Sequence, residues 1–436
     1  MKLLLSRALI FIGLLLVCRL NTANAQFLMD MVDTTKHVGK GLLSVYKKYN
    51  YLNIGGYIQP QYQVIQTKGA KTYSGPDFNP NVDNRFMLRR GRLRMEYARF
   101  SEANLPIVQF VFQFDGTERG FFARDFWGRV FDNKFQLFSL TAGMFARPFG
   151  YEVNLGSSDR ESPERGRMSQ ILMKIERDLG AMVSFEPRNR SGAMKYFKWD
   201  LGFFNGQGLT NTIGDFDSYK DLISRAGLKP FPVAKNLYLS TAVSYFNGGF
   251  MQATKYVNTM GNKNGQAVFV TDSAESNVGG KAPRKYNGAD AQLKWQRKKG
   301  ATELRLEYWQ GTQTATASTS ETPAELLYVP YYVRKFRGGF IYLLHQFNQH
   351  HQVGAKIDWY DPNTDIKGKQ IGVLDSKTGP ADIQYNTIGF GYINYINDNL
   401  KLVLWYDVVT NESTIVPGYE SDLKDNVFTC RLQFRF

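Results

Sequence analysis

The chain holds two cysteines in 436 residues, and only Cys430 lies beyond the apolar leader at its start. One thiol excludes an internal disulfide and a structural zinc site built on cysteines. Past the leader, no stretch reaches the roughly 18 consecutive apolar residues that a membrane helix needs. Mean hydropathy is slightly negative. That excludes a helical membrane protein but not a barrel, in which only alternate strand residues face lipid. A soluble propeller would repeat a blade motif about every 40–50 residues, and none recurs. Nucleophile elbow, glycine-rich phosphate loop and any Ser/His/Asp arrangement at a supporting spacing are all missing, so the chain reads as a non-enzyme. Asp361-Pro-Asn363-Thr-Asp365 has alternating oxygen ligands. Ile366 and Gly372, however, stand where a calcium loop needs Gly and Glu. His350-His351 has no third ligand at metal spacing. No metal or cofactor is expected.

Glycine (40 residues) and aromatics (14%) are plentiful, and charged residues make up 21%. Lys2 and Arg7 precede an apolar run from Ala8 to Val17, and Ala23-Asn24-Ala25 has the small-x-small form of a cleavage site. Residues 1–25 therefore read as a signal peptide cleaved before Gln26. Its removal takes away Lys2, Arg7 and Arg19 and lowers the formal charge from +15 to +12. A balance of that size fits nucleic acid, an anionic surface or an anion-conducting lumen. Export argues against nucleic acid. Residues 26–50 read as a periplasmic lead-in.

From Asn53 onward the dominant signal has period 2. Ile54, Gly56, Ile58, Pro60, Tyr62 and Val64 take one face of the first stretch, and Tyr57, Gln59, Gln61 and Gln63 the other. Sixteen such stretches occur, near 54–65, 85–99, 106–115, 123–131, 135–145, 179–186, 196–204, 222–230, 236–246, 284–295, 301–310, 335–346, 350–360, 383–396, 400–409 and 427–436. The last places Phe428, Cys430, Leu432, Phe434 and Phe436 on one face and Thr429, Arg431, Gln433 and Arg435 on the other. Connections alternate long and short along the chain, with an ambiguity around the fourth stretch. Tight turns at one end and long loops at the other mark an all-β fold, a transmembrane antiparallel β-barrel of about 16 strands over residues 51–436. Turns are expected on the periplasmic side and loops outside.

If the apolar faces meet lipid, the other faces line the lumen. The second stretch then turns Arg90, Arg92, Arg94 and Glu96 inward as a ladder, and the last adds Arg431 and Arg435. Later stretches add Arg225, Lys229, Lys294, Arg305 and Lys356, with Asp115, Asp290, Glu303, Glu307, Asp358 and Asp407 as counter-charges. Guanidiniums at alternate positions recur about every 7 Å and offer an anion successive weak sites. Bracing by ion pairs is the plainer reading of any one of them. For Arg90, Arg92 and Arg94 the nearby inward acids look too few to neutralise the run. The long connection 146–178 carries Arg147, Arg160, Arg165, Arg167, Lys174 and Arg177 against an equal number of acids, so its charge sums to zero. Arg147, Arg160, Arg165 and Arg167 are its candidates for a constriction.

The same connection opens with Gly143-Met-Phe145-Ala-Arg147-Pro-Phe149-Gly-Tyr-Glu152. This segment resembles the Gly-x-Phe-x-x-Pro-Phe-Gly-x-Glu motif of the phosphate-selective porin O/P family. Arg89-Arg-Gly-Arg-Leu93, Glu176-Arg-Asp-Leu-Gly180, Phe204-Asn-Gly-Gln-Gly208 and Trp359-Tyr-Asp-Pro-Asn363 match in order along the whole mature chain. The Arg-Glu-Ser-Pro-Glu-Arg run at 160–165 is similar to the Bacteroidetes branch. The resemblance implies a homotrimer of sixteen-stranded barrels in the Gram-negative outer membrane, passing phosphate or other small inorganic anions by passive diffusion. Ala146 stands where the family often has lysine, with the base one later at Arg147, and the lysine-rich inner clusters of strongly phosphate-selective members have no match. A general, weakly anion-preferring porin and a non-conducting scaffold barrel are the alternative expectations.

Overall fold

The computed structural model describes residues 51–188, 192–208 and 215–436. The expected signal peptide and lead-in lie outside them. Strands β1 (Leu52–Ile65), β2 (Asn84–Phe100), β3 (Pro106–Thr117), β4 (Gly120–Phe131), β5 (Phe138–Ala146), β6 (Arg177–Phe185), β7 (Phe197–Phe204), β8 (Asp221–Ala234) and β9 (Leu237–Met251) form the first part of one sheet. After a short hairpin, β10 (Val257–Lys263) and β11 (Gln266–Asp272), the sheet continues. Its second part is β12 (Lys281–Gln296), β13 (Ala301–Ala315), β14 (Tyr331–Gln346), β15 (His351–Asp361), β16 (Tyr385–Asn397), β17 (Leu400–Asn411) and β18 (Val427–Arg435).

Apart from the hairpin, every strand pairs antiparallel with its neighbour, β9 pairs directly with β12, and β18 returns to β1. The seam runs from Tyr57 opposite Arg435 to Ile65 opposite Val427. Closure leaves no free sheet edge, so backbone donors and acceptors are satisfied around the whole ring. All sixteen barrel strands coincide with the sixteen period-2 stretches.

The two faces separate as the alternation requires. Ile54, Ile58, Phe110, Phe112, Leu140, Val243, Leu306, Ile341, Ile357 and Phe434 are exposed on the outside, while Gln59, Gln61, Gln63, Thr429, Arg431 and Gln433 are buried inside. Long connections gather at one end, with one departure. Between β3 and β4 the outer connection is only Glu118-Arg119, closed by Thr117 opposite Gly120.

The hairpin is the element that alternation across the barrel does not reveal. Asn264 and Gly265 both have positive φ (55° and 82°), the two-residue turn that matches strand twist. Asn-Gly between two β-rich runs was its signal in the sequence. Its first strand runs parallel to the start of β14, Val257 opposite Tyr331. Phe269 N donates to Ser376 O at 2.9 Å, and Met260 packs on Ile366, Ile371, Ile383 and Val416. The outer loops thus share a small apolar core of their own.

A folded-in loop and the lumen wall

Residues 147–176 leave β5 and cross the inside of the barrel, and the residues of the opening motif explain why. Phe149 is fully buried, edge-on to Trp309 (4.7 Å), Tyr286 (6.0 Å) and Phe246 (6.2 Å). Gly150 follows at φ 69°; a Cβ there would collide with the Glu307 carboxylate and the Trp309 ring. That close approach lets Tyr151 N and Glu152 N donate to Glu307 at 2.6 and 3.0 Å, while Trp309 Nε1 donates to it at 2.8 Å. The Pro-Phe-Gly-Tyr-Glu run is therefore a docking device, with an aromatic anchor, a turn without a side chain and two amides for one carboxylate.

Further along, each acid of the loop is held by the wall or braces the loop itself. Glu152 pairs with Lys356 and accepts from Gly166 N and Ser169 Oγ, both at 2.8 Å. Ser157 meets Tyr57 Oη at 2.6 Å and Gln59 at 3.0 Å. Lys401 donates to Ser158 O at 2.6 Å. Glu161 takes both terminal nitrogens of Arg305, at 2.8 and 3.1 Å. Glu164 receives three guanidiniums, from Arg89 (2.8 Å), Arg90 (2.6 Å) and Arg431 (2.9 Å). A short helix, α1 (Arg167–Leu172), then buries Met168, Ile171 and Leu172 in the aromatic cluster around Phe149.

Burial pushes the Glu164 and Glu176 carboxyls up. Three arginines at each site (Arg89, Arg90 and Arg431; Arg124, Arg165 and Arg177) outweigh it and hold both well below their ordinary 4.5. A carboxyl depressed in the fold lends stability that is fully present above its unfolded value and is lost as pH falls through its lower folded value. Amide exchange across 153–166, corrected for intrinsic rate, should therefore stay flat from neutral pH to about 4.5, accelerate steadily as pH falls below it, and level off only below the folded value.

Beside the loop remains a continuous cavity of about 3670 Å³, walled largely by β2–β8. Among the described residues lining it, twenty are Lys or Arg and thirteen are Asp or Glu. At one level, Arg92, Arg124, Arg165 and Arg177 surround Asp115, Asp125 and Glu176. Arg92 lies 3.1 Å from Asp115, Arg177 lies 3.3 Å from Asp125 and 2.8 Å from Glu176, and Arg165 lies 3.8 Å from Glu176. Arg124 pairs with Glu176 and lies 3.7 Å from Asp115.

The ladder of β2 does face inward, but its charges are met. Arg90 goes to Glu164, Arg92 to Asp115, and Arg94, the most open of the three, to Glu96 at 3.3 Å. The expectation of too few nearby acids fails because the folded-in loop carries Glu164 to the ladder. Arg431 lies under the loop, donating to Pro163 O and to Gln61 as well as to Glu164. Arg435 stays half-exposed, 3.8 Å from Asp159.

Of the loop candidates, Arg147 is buried away from the lumen, 4.0 Å from Asp178 and bonded to Ile175 O. Arg160, Arg165 and Arg167 line the cavity. Arg160 donates to Leu155 O at 3.3 Å. Arg167 lies between the rings of Tyr73 (4.5 Å) and Tyr385 (3.6 Å).

Arg89 and Arg124 escaped the alternation, and both sit at register shifts. Between the pairs Ile58–Gly91 and Pro60–Leu88, β2 has two residues, Arg89 and Arg90, opposite the single Gln59. Between Gln113–Asp125 and Phe114–Ala123, β4 has the extra Arg124. A bulge re-aims a side chain against strict alternation. Pro60, with no N–H for the ladder, was the only sign of the first bulge in the sequence.

The set-aside motifs have structural partners. Asp361 lies 3.3 Å from Arg337, and Asn363 Nδ2 donates to Asp382 at 2.8 Å. His350 and His351 use Nδ1 on Tyr395 O and Tyr392 Oη, at 2.7 and 2.6 Å.

No family model matches the chain, and no curated protein matches it by sequence. Solved structures do match by shape. Pseudomonas putida OprB superposes with a TM-score of 0.54 at 10% identity, over 96% of this chain and 100% of that one. The anion-selective porin of Comamonas acidovorans gives 0.53 at 11% identity, over 88% and 99%. The outer-membrane channel DcaP of Acinetobacter baumannii gives 0.52 at 11% identity, over 88% and 97%. At such identities the likeness is one of fold: the chain is a closed, sixteen-stranded antiparallel β-barrel of the architecture found in outer-membrane porins.

Proposed function

We propose that the chain is an outer-membrane porin, a passive diffusion channel that favours small anions, with inorganic phosphate the first candidate. The observation that carries this reading is the lumen beside the folded-in loop, continuous and lined by more bases than acids. A surplus of fixed positive charge in a narrow, low-dielectric passage concentrates anions and replaces part of their hydration. Motif resemblance to the phosphate-selective porin O/P family and a matched anion-selective porin of the same fold support it.

Replacing Arg90, Arg92 and Arg94 together with alanine should shift the reversal potential in a salt gradient toward cation passage. An unchanged potential would assign the ladder to bracing alone. Phosphate block of chloride current tests for a phosphate site. A purified protein giving no channel events in a planar bilayer would leave only the scaffold reading. The pairing of all three ladder arginines favours the milder alternative, a general porin with weak anion preference, and a small shift in that measurement would select it.

The homotrimer would use the outward face of β2–β5. There Phe86, Phe110, Phe112, Phe121 and Phe138 are exposed and the outer connection shrinks to two residues. Phe112→Arg should convert trimers to monomers in mild detergent, read by light scattering; a monomeric parent protein would remove the proposal.

A further inference from the structure

Outward positions on β12–β14 change character along the strands. Toward the turns they are apolar, with Leu293, Leu306, Ile341 and Leu343 exposed. Toward the long loops they become basic: Lys281 and Lys285 on β12, Lys335 and Arg337 on β14, all exposed. Register brings them together. Lys285 pairs with Thr312 of β13, which pairs on its other side with Lys335, and Gln310 pairs with Arg337 one step lower. Two strand spacings separate Lys285 from Lys335, about 10 Å.

The local acids do not cancel this patch. Asp365 lies 3.4 Å from Lys335 and Asp361 3.3 Å from Arg337, with the basic side chains still 69% and 56% exposed. Ion pairs that open to solvent are weak and exchange readily. Lys281 lies 5.6 Å from the Tyr219 ring. Four cations thus face two carboxylates. Comparable outward positions near the loop ends of other strands, such as Val64, Phe86, Phe203, Leu222 and Phe428, are apolar.

A cationic step directly above a lipid-facing apolar belt is the complement of an amphiphile with an anionic head. Headgroup-level bases attract anionic lipid, and two cation sites about 10 Å apart suit a head with two phosphates better than one small ion. We propose that the outward face of β12–β14 docks a bisphosphorylated glycolipid of the outer leaflet. Its phosphates meet Lys285, Lys335 and Arg337, and its acyl chains lie along Leu306, Ile341 and Leu343. This rests on the membrane placement proposed above but not on conduction.

The test titrates the detergent-purified full chain with a bisphosphorylated glucosamine-disaccharide lipid and reads bound lipid by native mass spectrometry. A triple variant, Lys285→Gln, Lys335→Gln and Arg337→Gln, should bind it at least about tenfold more weakly. The dephosphorylated lipid should bind both proteins weakly, and excess inorganic phosphate should not displace the bound lipid. Equal affinity of parent and variant, equal binding of the dephosphorylated lipid, or displacement by inorganic phosphate would each overturn the proposal. The heat-dependent gel shift of the variant checks that its barrel is intact. Single-channel recording of the parent tests the pore reading separately, so failure of one reading is distinguishable from failure of the other.

Discussion

Replacing Glu164 with glutamine is expected to free the middle of the folded-in loop while leaving the barrel closed. Glu164 is buried and sits among the guanidiniums of Arg89, Arg90 and Arg431, with Arg90 and Arg431 nearly inaccessible. Glutamine keeps the shape but removes the charge, and its amide presents donors to groups that are donors only. Taking one partner from a buried ion pair costs about 3–5 kcal/mol, because the remaining charge stays desolvated. Here three cations lose their shared anion, so moving the loop away and admitting water or a mobile anion becomes the cheaper state. Protease cleavage within 153–166 should appear in the variant. The reversal potential should move further toward anions, since one fixed negative charge leaves the lumen wall. The gel shift should be unchanged because no strand pairing is touched. A variant as protease-resistant as its parent would show that the aromatic anchor alone holds the loop.

Phe149→Ala attacks that anchor. Phe149 has no solvent exposure and fills the space between Trp309, Tyr286 and Phe246. Truncating a buried phenylalanine costs about 3–5 kcal/mol through lost transfer energy and the cavity left behind. The hole also removes the support that holds Gly150 against Glu307, so the two amide bonds from Tyr151 and Glu152 should weaken with it. Cleavage should shift to 150–156, nearer the start of the loop, and single-channel conductance should rise and become noisier as the loop swings in the lumen. Phe149→Leu should retain most of the parent behaviour, since it keeps apolar volume. Quiet channels of parent conductance from the alanine variant would mean that the ion pairs at Glu152, Glu161 and Glu164 suffice alone. Together, the two variants apportion loop docking between its aromatic and its ionic halves.

The barrel was legible because its information is local. Alternation within Asn53–Ile65 or Val427–Phe436 already separates an apolar face from a polar one, and sixteen repeats of it with tight turns between define a ring. The inward list, from Arg90 to Asp407, follows from the same parity. Parity failed at Arg89 and Arg124, where a bulge adds a residue to one strand only. A bulge is a property of two paired strands, so neither strand alone records it. The Asn264-Gly265 hairpin falls in the connection between the ninth and tenth stretches, where no strand was expected; its Asn-Gly turn was a local signal, but its docking on the loop around Ser376 is tertiary.

The loop divides the two kinds of information most sharply. The composition of the connection 146–178, six bases against six acids, is in the sequence, as is the Pro-Phe-Gly-Tyr-Glu run that starts the loop inward. Its partners are not. Glu164 finds Arg90 across 74 positions and Arg431 across 267, and Glu161 finds Arg305 across 144. No periodicity reports distances of that kind, because they depend on ring closure and on the path of a segment with no repeating pattern. By itself the sequence determined the sixteen barrel strands and, away from the bulges at Arg89 and Arg124, which side chains face the lumen, since side-chain direction in a regular strand is set residue by residue. Only the tertiary structure decided which lumen charges are spent on holding the loop and which remain along the open passage. Electrostatic partnership depends on proximity in space, and in this barrel the nearest counter-charge is often more than a hundred residues away.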